Sequence, residues 1–218
     1  MNLANLKKAD IVKMANYRCK HRHTGLEHPE CYFEETGAGE RLAFFDIEAS
    51  NLKATFGLMW SYCLKPDGEE PIANIVTPKE IKNGTYDKRL YKDLTEDLMK
   101  FDRVVGHYMC RFDLPFVRTR CVYHGIPFPP FGSLKQKDTW VILRKKFGLH
   151  SNRLQTACEF FGIESKGHPM KQDIWLSAFR GDQKALDYIL AHNKEDVAST
   201  EALWHKIEDY MRLSDTSI

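Results

Sequence analysis

Apolar and polar residues along the chain change rhythm several times, and each rhythm predicts an element. Leu3, Leu6, Val12 and Ala15 recur among polar neighbours at helical spacing, ending near Tyr17. Residues 19–40 show no period; they are rich in Cys, His, Glu and Gly and read as an irregular segment. At Arg41 the pattern turns abruptly into a continuous apolar run, Leu42-Ala43-Phe44-Phe45, as expected of a buried strand. Strand-like runs come next at 56–64 and 72–76, separated by Lys65-Pro66-Asp67-Gly68, whose Pro and Gly mark a turn. These three runs predict an antiparallel meander. Leu90, Leu94, Leu98 and Phe101 return to helical spacing before a short strand over 103–106, so this connection suits a crossover helix. Later signals are mainly helical: Asp113-Leu114-Pro115 as cap and first turn, Asp138-Thr139 ahead of 140–147, Ser151 ahead of 154–161, and a long C-terminal helix around 197–211. Strands early and helices late, joined by a crossover, indicate an α/β domain. The chain is expected to divide into an N-terminal segment, 1–40, and a main domain, 41–218.

Composition narrows the class. A length of 218 residues suits one domain plus an appendage. Hydrophobic content of 43% and charged content of 28% exclude an extended disordered or collagen-like chain. No apolar run approaches the ~18 residues of a membrane span, and Lys7 and Lys8 interrupt the start where a signal peptide needs its apolar stretch. A soluble protein that stays in the compartment where it is made is expected. The six cysteines, Cys19, Cys31, Cys63, Cys110, Cys121 and Cys158, are too sparse for a disulfide scaffold and point to a reducing cytoplasm. With 32 Lys+Arg against 30 Asp+Glu the net charge is only +2, so any affinity for nucleic acid must come from local arrangement.

Four acids carry the candidate chemistry. Asp46 and Glu48 end the first apolar strand two residues apart, and a period of two aims both at the same face. Either they are simply solvated at a strand terminus, or a metal or basic partner offsets their repulsion. Asp113 comes after the second short strand at a helix start, where a plain N-cap is the alternative reading. Asp196 lies at the head of the last helix, where a first-turn acid favoured by the helix dipole is the alternative. If helix already runs through 188–197, His192 and Asp196 share a face.

The segments Phe45-Asp46-Ile47-Glu48-Ala49-Ser50-Asn51-Leu52, Gly106-His107 followed by Phe112-Asp113-Leu114-Pro115-Phe116, and His192-Asn193-Lys194-Glu195-Asp196-Val197 together resemble the three motifs of DnaQ-like (DEDD) 3′–5′ exonucleases of the ribonuclease H-like superfamily, in order and in spacing. The nearest likeness is to predicted nucleases whose last motif reads His-Asn or Tyr-Asn before Asp-Val, and it spans about residues 41–212. The resemblance implies a mixed five-stranded sheet of order 3-2-1-4-5 with helices on both faces. It also implies that Asp46, Glu48, Asp113 and Asp196 hold two Mg²⁺ or Mn²⁺ ions for hydrolysis at a 3′ end. Oxygen ligands suit those hard ions, and a pair of ions stabilises attacking and leaving oxygens together. One branch of the family has a catalytic His five residues before the last Asp, another a Tyr four before; here Ala191 and His192 stand there, giving the tyrosine-type spacing with a histidine. Histidine is a competent general base near neutral pH, and a helix-terminal histidine bonded to backbone is the alternative. Relatives often carry Asn after the Gly-His pair, where this chain has Tyr108.

Four carboxylates repel a polyanion, so positive charge is expected nearby. Residues 135–153 hold Lys135, Lys137, Arg144, Lys145, Lys146 and Arg153 against the single acid Asp138, with Trp140 and Phe147 interleaved. Such a stretch suits a phosphate backbone with stacked bases, or else an amphipathic helix with a solvated cationic face. Lys166, with His168 and Lys171, is a second candidate at the entrance, and Leu52 a candidate wedge against the terminal base. Cys19, His21, His23, His28 and Cys31 lie close enough to form a structural Zn²⁺ knot, which would make the N-terminal segment a clamp for substrate or partner; surface histidines and unligated thiols are the alternative. The leading expectation is a 3′–5′ exonuclease on DNA or RNA, against a non-cleaving module that binds nucleic acid or protein, or an endonuclease of the same superfamily.

Overall fold

The computed structural model describes residues 8–164 and 169–210. The chain forms two compact units, one comprising Met1–Glu40 with Ile207–Ile218, the other Arg41–Lys206. In the first, α1 (Lys8–Asn16) and α2 (Pro29–Thr36) bury Met14 and Tyr32, and the Tyr17 and Tyr32 rings meet edge to face at 5.2 Å. Helix α2 falls inside the segment expected to be irregular. It is only eight residues long, too short to show a period, but Pro29 at its first turn is pre-set for a helical φ.

The second unit is an α/β layer structure. In chain order it contains β1 (Leu42–Ala49), β2 (Met59–Pro66), β3 (Ile72–Ile75), α3 (Pro78–Asn83), α4 (Lys88–Leu98), β4 (Arg103–Gly106), α5 (Asp113–His124), β5 (Lys135–Asp138), α6 (Thr139–Lys146), α7 (Leu154–Phe161), α8 (Gln172–Phe179) and all but the last residue of α9 (Gln183–Ile207). The sheet has five strands in the order β3-β2-β1-β4-β5, as the resemblance implies. β1 pairs antiparallel with β2 and β2 with β3, which is the expected meander; β1 pairs parallel with β4 and β4 with β5, on the far side of the crossover.

The run Ala43-Phe44-Phe45 is apolar throughout because β1 is central and covered on both faces. Ala43, Phe45 and Ile47 join the core with Leu90, Leu94 and Leu98 of α4 and Leu114, Phe116 and Val117 of α5. Burying a side chain such as Phe45 contributes roughly 1.5–3 kcal/mol. Phe44 lies on the opposite face with its ring 6.0 Å from that of His205 on α9, so by period two Asp46 and Glu48 also face α9. Lys65 of β2 and Glu201 of α9 fix that packing by an ion pair at 2.7 Å.

Several expectations change. β2 begins at Met59, since 50–58 forms turns, and it runs through Pro66 before a turn at Asp67-Gly68, where Gly68 takes φ +72°. β5, of sequence Lys-Gln-Lys-Asp, has no apolar residue to announce it; it is the exposed edge of the sheet, where charged side chains discourage pairing with another chain. Arg153 rather than Ser151 occupies the cap position of α7, and no side chain caps it. α9 starts at Gln183, so Asp196 sits in mid-helix and the first-turn reading fails. Leu3, Leu6, Lys166, His168 and Met211 lie outside the described residues. Among the described residues no helix is long and apolar enough to cross a membrane.

Candidate active site

The carboxyl ends of parallel strands β1 and β4 lie side by side, and the site is built where the chain leaves each of them. In β1 the register slips between Glu48 and Ala49, a bulge of the kind that re-aims a side chain. After β4 the chain turns sharply at Gly106, where any side chain is excluded: a Cβ there would lie 2.5 Å from Met109 Cβ and 2.9 Å from the Phe45 carbonyl oxygen. The turn 107–112 delivers Asp113 to the first residue of α5. Asp113 is 2% exposed and is not an N-cap, because its Oδ1 accepts the Ile47 backbone N–H across the sheet at 2.9 Å. That bond ties the second motif to the first.

From α9, Asn193, His192 and Asp196 complete the group. Asn193, fully buried, donates to Asp46 Oδ2 at 2.7 Å and accepts from the Ser61 hydroxyl of β2 at 3.0 Å. His192 Nε2 lies 3.5 Å from Glu48 Oε1 and 3.7 Å from Asp196 Oδ2, one helical turn on. Its Nδ1 is buried with no hydrogen-bond partner among the described residues. Ligand atoms of Glu48, His192 and Asp196 all fall within 4.8 Å of one another.

Among the described residues no lysine or arginine pairs with these acids, and their titration is displaced accordingly. Burial raises Asp46 well above the usual carboxylate range, and Asp113, Asp196 and Glu48 push it further. Burial, then Asp196 and Asp113, lift Glu48 to about 8. Asp113 rises to about 7 by burial, although backbone N–H bonds oppose the shift. Asp196 is raised by burial, against the lowering effect of His192. A half-buried acid set around the buried Asp113, with no lysine or arginine paired to it among the described residues, fits a divalent metal centre.

These raised carboxyls make stability depend on pH. A carboxyl whose folded pKa is raised binds more protons folded than unfolded between its ordinary value and its raised one, so stability falls as pH rises through that window. In chelator-treated protein, Tm should fall steadily between about pH 5 and 8.5. Glu48→Gln should flatten that decline, and Mn²⁺ should offset it. A Tm that rises over this range in the chelated wild type would contradict the assignment.

The turn that carries Asp113 is itself anchored by residues the motifs did not suggest. Asp138, buried at the end of β5, accepts backbone N–H groups from Tyr108 (2.9 Å) and Cys110 (3.0 Å) while capping α6 through Trp140 (3.0 Å). It was legible only as a helix cap. His107 donates from Nε2 to the Asn152 carbonyl (2.9 Å), and its Nδ1 lies 2.9 Å from the Thr139 hydroxyl, which donates to the Gly106 carbonyl (3.1 Å); burial lowers the His107 pKa. Tyr108 takes φ +64°, a left-handed conformation that Asn tolerates better than Tyr. The Asp138 bond holds it there.

The sequence model of the RNase_H superfamily, RNase_H_2, matches residues 43–208, most of the chain and all of this site. The chain belongs to the RNase H superfamily. By structure it is similar to the family B DNA polymerase from the hyperthermophilic archaeon Pyrobaculum calidifontis, with a TM-score of 0.64 and 18% sequence identity over 78% of this chain. That likeness concerns the fold, and it covers only 25% of the polymerase chain. No curated protein matches by sequence. The family and the fold support a nuclease.

The remaining candidates are dispersed over the RNase H-like unit. Lys135 and Lys137 lie on β5, Lys145 and Lys146 on the exposed last turn of α6, and Arg153 is exposed ahead of α7. The basic stretch is therefore a strand, a helix and a loop, not one amphipathic helix. Trp140 and Phe147 are half-buried. Arg111 and Arg144 each lie 5.3 Å from the Trp140 ring, and Tyr108 meets that ring edge to face at 5.1 Å. Leu52 projects from the turn after β1 at 79% exposure. In the N-terminal unit, Cys19, His21, His28 and Cys31 gather their ligand atoms within 4.8 Å, and His23 stands outside that group.

Proposed function

We propose that the RNase H-like unit is a DnaQ-like (DEDD) exonuclease that removes nucleotides from the 3′ end of a DNA or RNA strand. The observation that supports this best is the convergence of Asp46, Glu48, Asp113 and Asp196 from three elements on one spot where, among the described residues, no lysine or arginine pairs with them. Asp46, Glu48, Asp113 and Asp196 would hold two Mg²⁺ or Mn²⁺ ions, which when bound stabilise the attacking and leaving oxygens of an in-line displacement at phosphorus. Asn193 and the Ile47 N–H each occupy one carboxylate oxygen, of Asp46 and Asp113, and so orient the other.

His192 Nε2, between Glu48 and Asp196, accepts the proton of the attacking water. The water oxygen bonds to phosphorus, the P–O3′ bond breaks, and the shortened strand regains a proton on its 3′ oxygen as a nucleoside monophosphate departs. Lys135, Lys137, Lys145, Lys146 and Arg153 serve the phosphate backbone, and Tyr108 and Trp140, flanked by Arg111 and Arg144, offer rings on which a base can stack. Leu52, exposed beyond Glu48, wedges against the terminal base.

The deciding assay uses 5′-labelled linear and circular single strands of DNA and linear RNA with Mg²⁺ or Mn²⁺. Progressive shortening of linear strands, with circles intact and EDTA stopping the reaction, is the expected result. Cleaved circles would mean an endonuclease, and binding without cleavage a non-hydrolytic module.

A further inference from the structure

We infer that the N-terminal unit holds one structural zinc ion, coordinated by Cys19, His21, His28 and Cys31. Tetrahedral zinc with sulfur at about 2.3 Å and nitrogen at about 2.1 Å sets its ligand atoms roughly 3.4–3.8 Å apart. Here Cys31 Sγ lies 3.6 Å from His21 Nδ1, and Cys19 Sγ lies 3.9 Å from both His21 Nδ1 and His28 Nδ1. All four donor atoms lie within 4.8 Å of one another, and both thiols are buried and free of disulfide. Two thiols and two imidazoles facing a common centre make a closed set with no position left for water or substrate, which is the pattern of a structural site.

The local backbone is built to deliver these side chains. The Arg22 N–H bonds to the Cys19 carbonyl at 2.8 Å, and the Cys19 N–H bonds back to the His23 carbonyl at 3.0 Å. Arg22 adopts φ +70° to close this turn, which presents Cys19 and His21 together. A second turn comes next: Thr24 and Glu27 exchange side-chain and backbone bonds at 2.7–3.1 Å, and the His28 N–H reaches the Thr24 carbonyl at 2.9 Å. Pro29 then starts α2, whose first turn carries Cys31 inward.

The unit also needs such a centre. Among the unit's described residues the buried apolar side chains are Met14, Cys19, Cys31, Tyr32 and Ile207, and two of those five are the thiols themselves. Segments of about 40 residues seldom fold on so small a core without a metal or cross-link. His23 has its ring 6.4 Å from that of His21 and 5.6 Å from that of His28, yet it contributes no donor to the cluster and is not a ligand.

The test uses the full chain purified without added metal. Elemental analysis should find about one zinc per chain in the wild type, in His23→Ala and in Asp46→Ala, the last separating this site from the carboxylate centre. Cys19→Ser with Cys31→Ser should carry none. Should that variant fail to fold, the wild type supplies an independent reading: a mercurial thiol reagent should release the zinc in step with modification of two thiols. Cobalt substitution should give the visible bands of a tetrahedral thiolate site. A zinc-free wild type that takes up no cobalt, or zinc lost in His23→Ala or Asp46→Ala, would overturn the assignment.

Discussion

Asp46→Asn should leave a folded protein whose hydrolysis of 3′ ends is at least about 10³-fold slower than wild type, since metal-assisted stabilisation of the transition state contributes several kcal/mol and each factor of ten is about 1.4 kcal/mol. The substitution keeps the shape of the side chain and can still accept the Asn193 bond, so the loss isolates charge. Removing one of four clustered acids should also raise the Tm of the chelated protein at pH 8, because burial and its acidic neighbours disfavour a charged Asp46 there. Lost activity with gained stability is the signature of an acid kept for chemistry at the expense of the fold. Turnover near wild type in purified Asp46→Asn would remove Asp46 from the metal set. Asp196→Ala should behave alike in activity, while EDTA silences the wild type and Mg²⁺ or Mn²⁺ restores it.

His192→Ala should lower kcat by roughly 10²–10⁴ with a much smaller change in KM, because a general base acts on the attacking water in the transition state and touches the ground-state substrate little. Its Nε2 sits between Glu48 and Asp196, so a role as metal ligand is the competing account. Titration of activity against Mn²⁺ separates the two. A base leaves the half-saturating concentration unchanged, whereas loss of a ligand raises it and lets excess metal recover the rate. His192→Tyr keeps a polar group at the same helical position and should retain more activity than His192→Ala. An unchanged kcat in His192→Ala would take the residue out of the mechanism.

The site was partly legible because its chemistry depends on residue types that local pattern makes conspicuous. Two acids closing an otherwise apolar central strand violate the rule that buried strands are apolar, and Asp46 and Glu48 stood out for that reason. Asn193 did not. It was visible within its motif, but its work, bridging Ser61 and Asp46 through two hydrogen bonds, depends on contacts with residues more than a hundred positions earlier. Asp138 was masked by its own cap signature, since the same carboxylate that caps α6 also holds the turn bearing Asp113.

By itself the sequence determined the meander and the crossover, because hydrophobic period and turn residues act over a few neighbours, while the five-strand order came only from the resemblance of its motifs to a known family. It also determined which acids and which Cys and His residues were available for chemistry. Only the tertiary structure decided that β5 exists, since an edge strand of charged residues gains its hydrogen bonds from β4 and not from its own pattern. It likewise placed Asp196 in the middle of α9, joined Asp113 to the Ile47 backbone, and gathered Cys19, His21, His28 and Cys31 without His23. Those outcomes rest on distances between segments remote in the chain, which no local periodicity encodes.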